Sequence, residues 1–213
     1  MSRLAPVALF IALAGCGGPA PADFAANAAD TRARETGFRG IVLPRPVPKA
    51  DFTLSDTRGE PFRFRERTDG FLTLVFFGYT NCPDICPVHM ANLGAVLGRF
   101  PHATRSRVKV VFVTTDPGRD TPERIRSWLD GFDPSFVGLT GDAVELERIQ
   151  RAFNLPVAFR DSTPERGYLV GHAAQVLAFT PDNVGRVVYP FGTRQADWIH
   201  DLPKLLEHEW IDE

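Results

Sequence analysis

Phe71-Leu-Thr-Leu-Val-Phe-Phe77 runs through Gly78-Tyr-Thr-Asn81 into Cys82-Pro-Asp-Ile-Cys86-Pro87, so an apolar segment of strand length ends against a pair of cysteines. A run of this length, broken only by Thr73, predicts a strand covered on both faces. Pro83 is placed to start a helix, and Met90, Leu93, Val96, Leu97 and Phe100 recur at helical spacing before Pro101. A helix N-terminus presents unpaired N–H groups and a partial positive charge, which favour thiolate over thiol. Cys82 and Cys86 are therefore both expected to be reactive.

Outward from this segment, residues 51–64 alternate around the turn signal Asp56 to Glu60 and predict a hairpin. Val108–Thr114 reads as a second buried strand. Thr121 and Pro122 read as the N-cap and first residue of a helix through Ile125, Trp128 and Leu129. Phe136–Leu139 is a short strand, and Asp142 with Glu145 forms a capping-box pattern opening a helix through Leu146, Ile149 and Phe153. Residues 156–167 read as a polar loop. Val176–Thr180 and Arg186–Tyr189 make a second hairpin across Pro181–Gly185, and Gln195–Glu209 is a last helix with a kink expected at Pro203. This order predicts a thioredoxin-like α/β sandwich: a central mixed sheet flanked by helices, with an N-terminal β-hairpin. The many Phe residues on its strands are expected in the core.

The chain has 213 residues, 24 Lys and Arg against 26 Asp and Glu, and a net charge of -2. Phosphate binding requires clustered cations, so this balance argues against a nucleic-acid surface. Arg3, the apolar run Leu4 to Ala14 and then Gly15-Cys16 read as an export signal, too short for a helix that must span about 20 apolar residues. Leu13-Ala-Gly-Cys16 is similar to the bacterial lipoprotein box. That similarity implies residues 1–15 as a cleaved signal peptide, lipid on the Cys16 sulfur, and a membrane-anchored protein facing the periplasm or another extracytoplasmic space. Residues 16–36, rich in Ala and Pro, would be the lipidated cysteine and a flexible tether spanning about 25 Å; residues 37–213 would be the folded domain.

With Cys16 assigned to lipid, Cys82 and Cys86 remain as one close pair outside the reducing cytoplasm. So short a loop gives little entropic stabilisation, which leaves redox chemistry or metal binding. Three intervening residues on a helix put both sulfurs on one face, with β-carbons about 5 to 6 Å apart. A disulfide prefers about 3.5 to 4.5 Å, so it would distort the first turn, whereas two thiolates sharing a metal tolerate the wider gap. Soft thiolates select Cu(I), zinc or iron–sulfur clusters, and a lone pair falls short of four-ligand sites; low-coordinate copper fits best. A third ligand must come from the five histidines. His89, three residues after Cys86, could reach the site and otherwise reads as a solvated helix residue; His102, in a connecting loop, and His200 and His208, on the terminal helix, read as surface. His172 follows Tyr168-Leu-Val-Gly171 at the start of a predicted strand, where loops converge on the sheet end that carries the cysteines.

Three separated segments, Phe76–Pro87, Asp116–Glu123 and Tyr168–His172, together resemble the Sco/SenC family, over about residues 38 to 208. The resemblance implies a thioredoxin-like, copper-binding assembly factor for cytochrome c oxidase, with Cys82, Cys86 and His172 as the copper ligands. It also implies delivery to the binuclear copper centre in the copper-binding subunit of the oxidase. The family usually has Asp immediately before this histidine, and this chain has Gly171. Asp84 matches the family's residue between the cysteines and also suits a helix start. Asp116 follows a strand ending near the site and suits a loop cap. A thiol–disulfide oxidoreductase using Cys82 and Cys86 as a redox-active pair, able to form a disulfide, is the alternative function.

Overall fold

The computed structural model describes residues 36–163 and 167–207. The expected leader, Cys16, the expected tether as far as residue 35, and His208 lie outside them. Helices are numbered here α1 Phe64–Arg67, α2 Ile85–Leu97, α3 His102–Arg105, α4 Pro122–Asp130, α5 Ala143–Ala152 and α6 Gln195–Glu207. The strands are β1 Ile41–Pro48, β2 Thr53–Asp56, β3 Pro61–Arg63, β4 Leu72–Gly78, β5 Val108–Thr114, β6 Val137–Thr140, β7 Phe159–Thr163, β8 Gly167–Gly171, β9 Val176–Phe179 and β10 Val184–Tyr189.

Eight strands form one mixed sheet in the order β1-β10-β9-β4-β5-β6-β2-β3. Its centre, β4, β5 and β6, is parallel, and β9 runs antiparallel beside β4. The predicted two-faced burial of the 71–77 run is what the strand shows, because successive side chains go to opposite layers. Leu72, Leu74 and Phe76 join Val110, Phe112, Val176 and Ala178 under α2, α4 and α6. Val75 and Phe77 join Val111, Val113, Leu177 and Phe179 on the other face, with Leu146 and Ile149 of α5. There Phe52 and Phe64 stack at 4.5 Å, and Phe153 meets both and Phe179 within 6.0 Å, so the phenylalanines of the central sheet are core, whereas Phe159 of β7 is exposed.

The expected β2–β3 hairpin is present, turned by the Asp56 carboxylate accepting from the Arg58 and Glu60 N–H groups, and it extends the central sheet beside β6. Thr121 and Asp142 cap α4 and α5 as expected. Three local expectations are corrected. Residues 156–167 are not a plain loop: β7 and β8 pair antiparallel as a separate two-stranded ribbon. Apart from Phe159 the strand is polar, and residues 159–162 are all exposed, so no alternation announces it. β1 carries no strand signature either, since Pro44, Pro46 and Pro48 are tolerated only because it is an edge strand with a register shift between Val42 and Val47. The helix after the cysteines starts at Ile85 with Asp84 as N-cap, not at Pro83, and His102 opens the short α3 instead of lying in a loop.

Candidate metal centre

Because α2 starts late, Cys82 stands outside it, in the turn that leaves β4, and the i, i+4 geometry on a helix face does not apply. The Cys82 N–H donates to Tyr79 O at 3.2 Å, and the Cys86 N–H donates to the Cys82 sulfur at 3.4 Å. Cys82 is thus the sulfur at the helix N-terminus, and Cys86 lies inside the first turn, fully buried. Asp84 holds the turn between them by accepting from the Ile85 N–H at 2.6 Å.

His172 follows the last residue of β8, so the ribbon missing from the sequence reading delivers it. Its Nε2 lies 3.5 Å from the Cys86 sulfur. The Cys82 and Cys86 sulfurs and one His172 nitrogen all lie within 4.8 Å of one another, a spacing at which one metal ion could be held. A carbonyl only accepts, so the 3.0 Å contact between His172 Nδ1 and Ala173 O puts the proton on Nδ1 and leaves the Nε2 lone pair facing the sulfurs. The rings of Phe76 and Tyr79 stand edge-on to the imidazole at 5.8 and 5.7 Å. At Gly171 a Cβ would come within 2.5 Å of the Phe159 ring, so a carboxylate there would need that exposed ring to swing aside. Backbone carbonyl and aromatic edges orient this histidine in place of a neighbouring acid.

The two thiols differ in acidity. The Cys86 thiol, donating toward Cys82, pushes Cys82 down to about 4, and the Cys86 and Asp84 N–H groups add to this against the cost of burial. Burial, and then the neighbouring Cys82 sulfur, push Cys86 strongly up. The expectation that the helix start favours thiolate at both cysteines is corrected accordingly: the pair carries one thiolate, on Cys82, and one retained proton, on Cys86. Low-dielectric surroundings and like-charge repulsion keep the second proton until a cation replaces it.

His89 is not a solvated helix residue. It is 4% exposed, its Nε2–H donates to Ala174 O at 3.1 Å, and its ring packs on Phe76 at 4.9 Å. Burial holds its pKa below the usual range, so the ring is neutral. His102 is exposed, and His200 pairs with Asp201 at 2.6 Å on α6; neither belongs to the cluster. Asp116 is buried but binds no metal-facing group: it accepts from Tyr168 Oη at 2.8 Å and pairs with Arg119.

Two residues at the site escape sequence reasoning. Gly78 ends β4 where a Cβ would lie 2.9 Å from the Cys86 sulfur and 2.7 Å from the Phe76 ring, so only glycine leaves the sulfur its place. Asp120 is buried and accepts from the Thr80 N–H at 3.1 Å and from the Thr80 and Thr114 hydroxyls at 2.6 Å each, tying the turn before Cys82 to the end of β5. Thr80 Oγ1 in turn accepts from Arg124 Nε at 2.9 Å.

The family model described as SCO1/SenC matches residues 44–207. A Stutzerimonas stutzeri protein provisionally described as copper-binding is 32% identical over 171 residues, 79% of this chain and 82% of that protein. The apo Sco1 solution structure from Thermus thermophilus superposes with a TM-score of 0.68 at 32% identity, covering 79% of this chain and 97% of that one. The copper-bound structure of Bradyrhizobium japonicum ScoI gives 0.67 at 28% identity, covering 75% and 99%.

Proposed function

This chain belongs to the SCO1/SenC family, and from that premise we propose that it is a metallochaperone whose cargo is a copper ion, taken up by Cys82, Cys86 and His172. The observation that carries the reading is the convergence of two sulfurs from the turn and helix start after β4 and an Nε2 lone pair from the segment after β8 to within 4.8 Å. Two thiolates and an imidazole form a soft set short of four ligands, which suits copper. Cys82 is already a thiolate, and the incoming cation displaces the proton that Cys86 retains. The recipient in this reading is the binuclear copper centre in the copper-binding subunit of cytochrome c oxidase. The ion passes by associative exchange, the partner's ligands adding before these three release, so that no free ion forms. Cys16 carries lipid, and the chain works tethered to a membrane on its extracytoplasmic side. Among the described residues no helix is long and apolar enough to cross a membrane.

The test is metal analysis of the reduced full-length chain together with a thiol count. One copper per chain is expected, lost in Cys82→Ser and Cys86→Ser. The low pKa of Cys82 beside a protonated thiol also suits attack on a disulfide, which favours a thiol–disulfide oxidoreductase as the second reading. Metal binding needs both sulfurs, so oxidation of the pair and copper uptake should exclude one another. Turnover of a dithiol substrate without copper uptake in either redox state would replace the first reading by the second.

A further inference from the structure

The three ligand-bearing residues sit on two pieces of backbone that must be held in register. Cys86 is in the first turn of α2. His172 opens residues 172–175, which lie between β8 and β9 and belong to neither strand. His89 is one turn along α2 from Cys86, on the same side of the helix. Its Nε2–H reaches across to Ala174 O at 3.1 Å. Phe76 fills the space between the two imidazoles, 4.9 Å from His89 and 5.8 Å from His172, and Phe191 covers the other side of His89 at 5.6 Å.

The geometry points to His89 as a positioning residue: by holding the Ala174 carbonyl it clips the segment that carries His172 to the helix turn that carries Cys86. The imidazole of His172 is then oriented by its own bond to Ala173 O, and its distance from the sulfur is set by the His89 bond one peptide further on. Both bonds end on consecutive carbonyls, so rotation of the 172–175 backbone must break one of them. This inference rests on the reading of Cys82, Cys86 and His172 as a copper site, and it assigns His89 no contact with the ion.

Cu(I) can be held by two thiolates alone, whereas Cu(II) needs the imidazole, so loss of the clip should be read selectively in Cu(II). Donor-supporting partners around metal ligands are worth about 10- to 100-fold in affinity. His89→Leu, which fills the space but cannot donate, is expected to weaken Cu(II) binding about tenfold in competition with a chelator and to shift the thiolate-to-Cu(II) absorption. Cu(I) affinity should stay within about twofold, which also serves as the check that the variant is folded; His89→Met is the substitute if that check fails. His89→Gln, whose amide can reach the same carbonyl, is expected to restore Cu(II) affinity and the absorption. A full-length parent that binds copper alongside a His89→Leu variant with unchanged Cu(II) affinity overturns the inference and leaves the copper reading standing. Equal weakening in the Leu and Gln variants, or equal loss of Cu(I) and Cu(II) in both the Leu and the Met variants, overturns it as well, because packing alone would then account for the effect. A parent that takes up no copper removes the reading and the inference together.

Discussion

Gly78 and Cys82 carry the site's finest adjustments. An added Cβ at Gly78 would meet the Cys86 sulfur and two phenylalanine rings at 2.7 to 3.2 Å inside a packed core, where overpacking costs about 1 to 3 kcal/mol. Gly78→Ala should therefore lower the unfolding free energy by about that amount and displace Cys86; a variant that matches the parent in denaturant titration and copper stoichiometry would contradict the packing argument. For Cys82, the lowered pKa means that the thiolate persists as pH falls, until it is protonated near about 4. Ultraviolet thiolate absorbance of the reduced, metal-free chain should show one thiolate at pH 6, absent in Cys82→Ser. Absorbance that develops only above the ordinary cysteine range, about pH 8.5, would remove the assigned asymmetry.

At the level of elements, the β7–β8 ribbon matters because His172 follows directly on it. Val170 of the ribbon reaches the core and Tyr168 packs against it, while Phe159 and Leu169 are exposed, so polar contacts carry much of its attachment. What seats it is the loop after β5: Tyr168 Oη donates to the buried Asp116 carboxylate, while Arg119 lies 3.7 Å over the Tyr168 ring and donates to its carbonyl oxygen at 3.0 Å. A hydrogen bond to a charged group contributes about 1.5 to 3 kcal/mol. Tyr168→Phe should accordingly destabilise by about that amount and speed amide exchange in residues 167–171 before the rest of the sheet, as hydrogen exchange can measure. Uniform protection in the variant would mean that Asp116 does not anchor the ribbon. Little of this was legible in the chain. Asp116 could be read as a loop cap and Tyr168 as part of a motif, but their contact joins residues 52 apart.

Across the whole molecule, the most unusual charge is Lys49, 1% exposed, its Nζ donating to Thr68 O at 3.0 Å and Thr73 Oγ1 at 3.2 Å. Burial lowers its pKa from 10.5 to about 8, against the raising effect of Asp69. Between these values the unfolded chain keeps a proton that the folded chain has lost, so this group makes stability rise with pH across that window. Tyr189 and Cys86, both raised by burial, act in the opposite direction as the unfolded chain ionises. The comparison is therefore made with Lys49→Met: the parent should gain roughly 3 kcal/mol relative to the variant from pH 8 to 10.5. A pH-independent difference would show that Lys49 titrates normally. At the same scale, Cys16→Ser should release the full-length chain from membranes without altering copper stoichiometry. Retention of that variant in a wash that strips peripheral proteins would defeat the lipid anchor.

The chain by itself determined the central strands, the cysteine pair beside β4 and the candidacy of His172, because each rests on local physics: an apolar run too long to be half-exposed, glycine and proline at a strand end, sulfur at a helix start. It also carried the three motifs of the family. Only the tertiary structure decided that Cys82 lies outside the helix, that the two thiols have opposite acidities, that His89 is buried against Ala174, and that Gly171 faces the Phe159 ring. Each of these depends on what a distant segment places beside the residue. Desolvation, hydrogen-bond partners and the room left for a Cβ are set by that neighbour, and no window of sequence around the residue contains it.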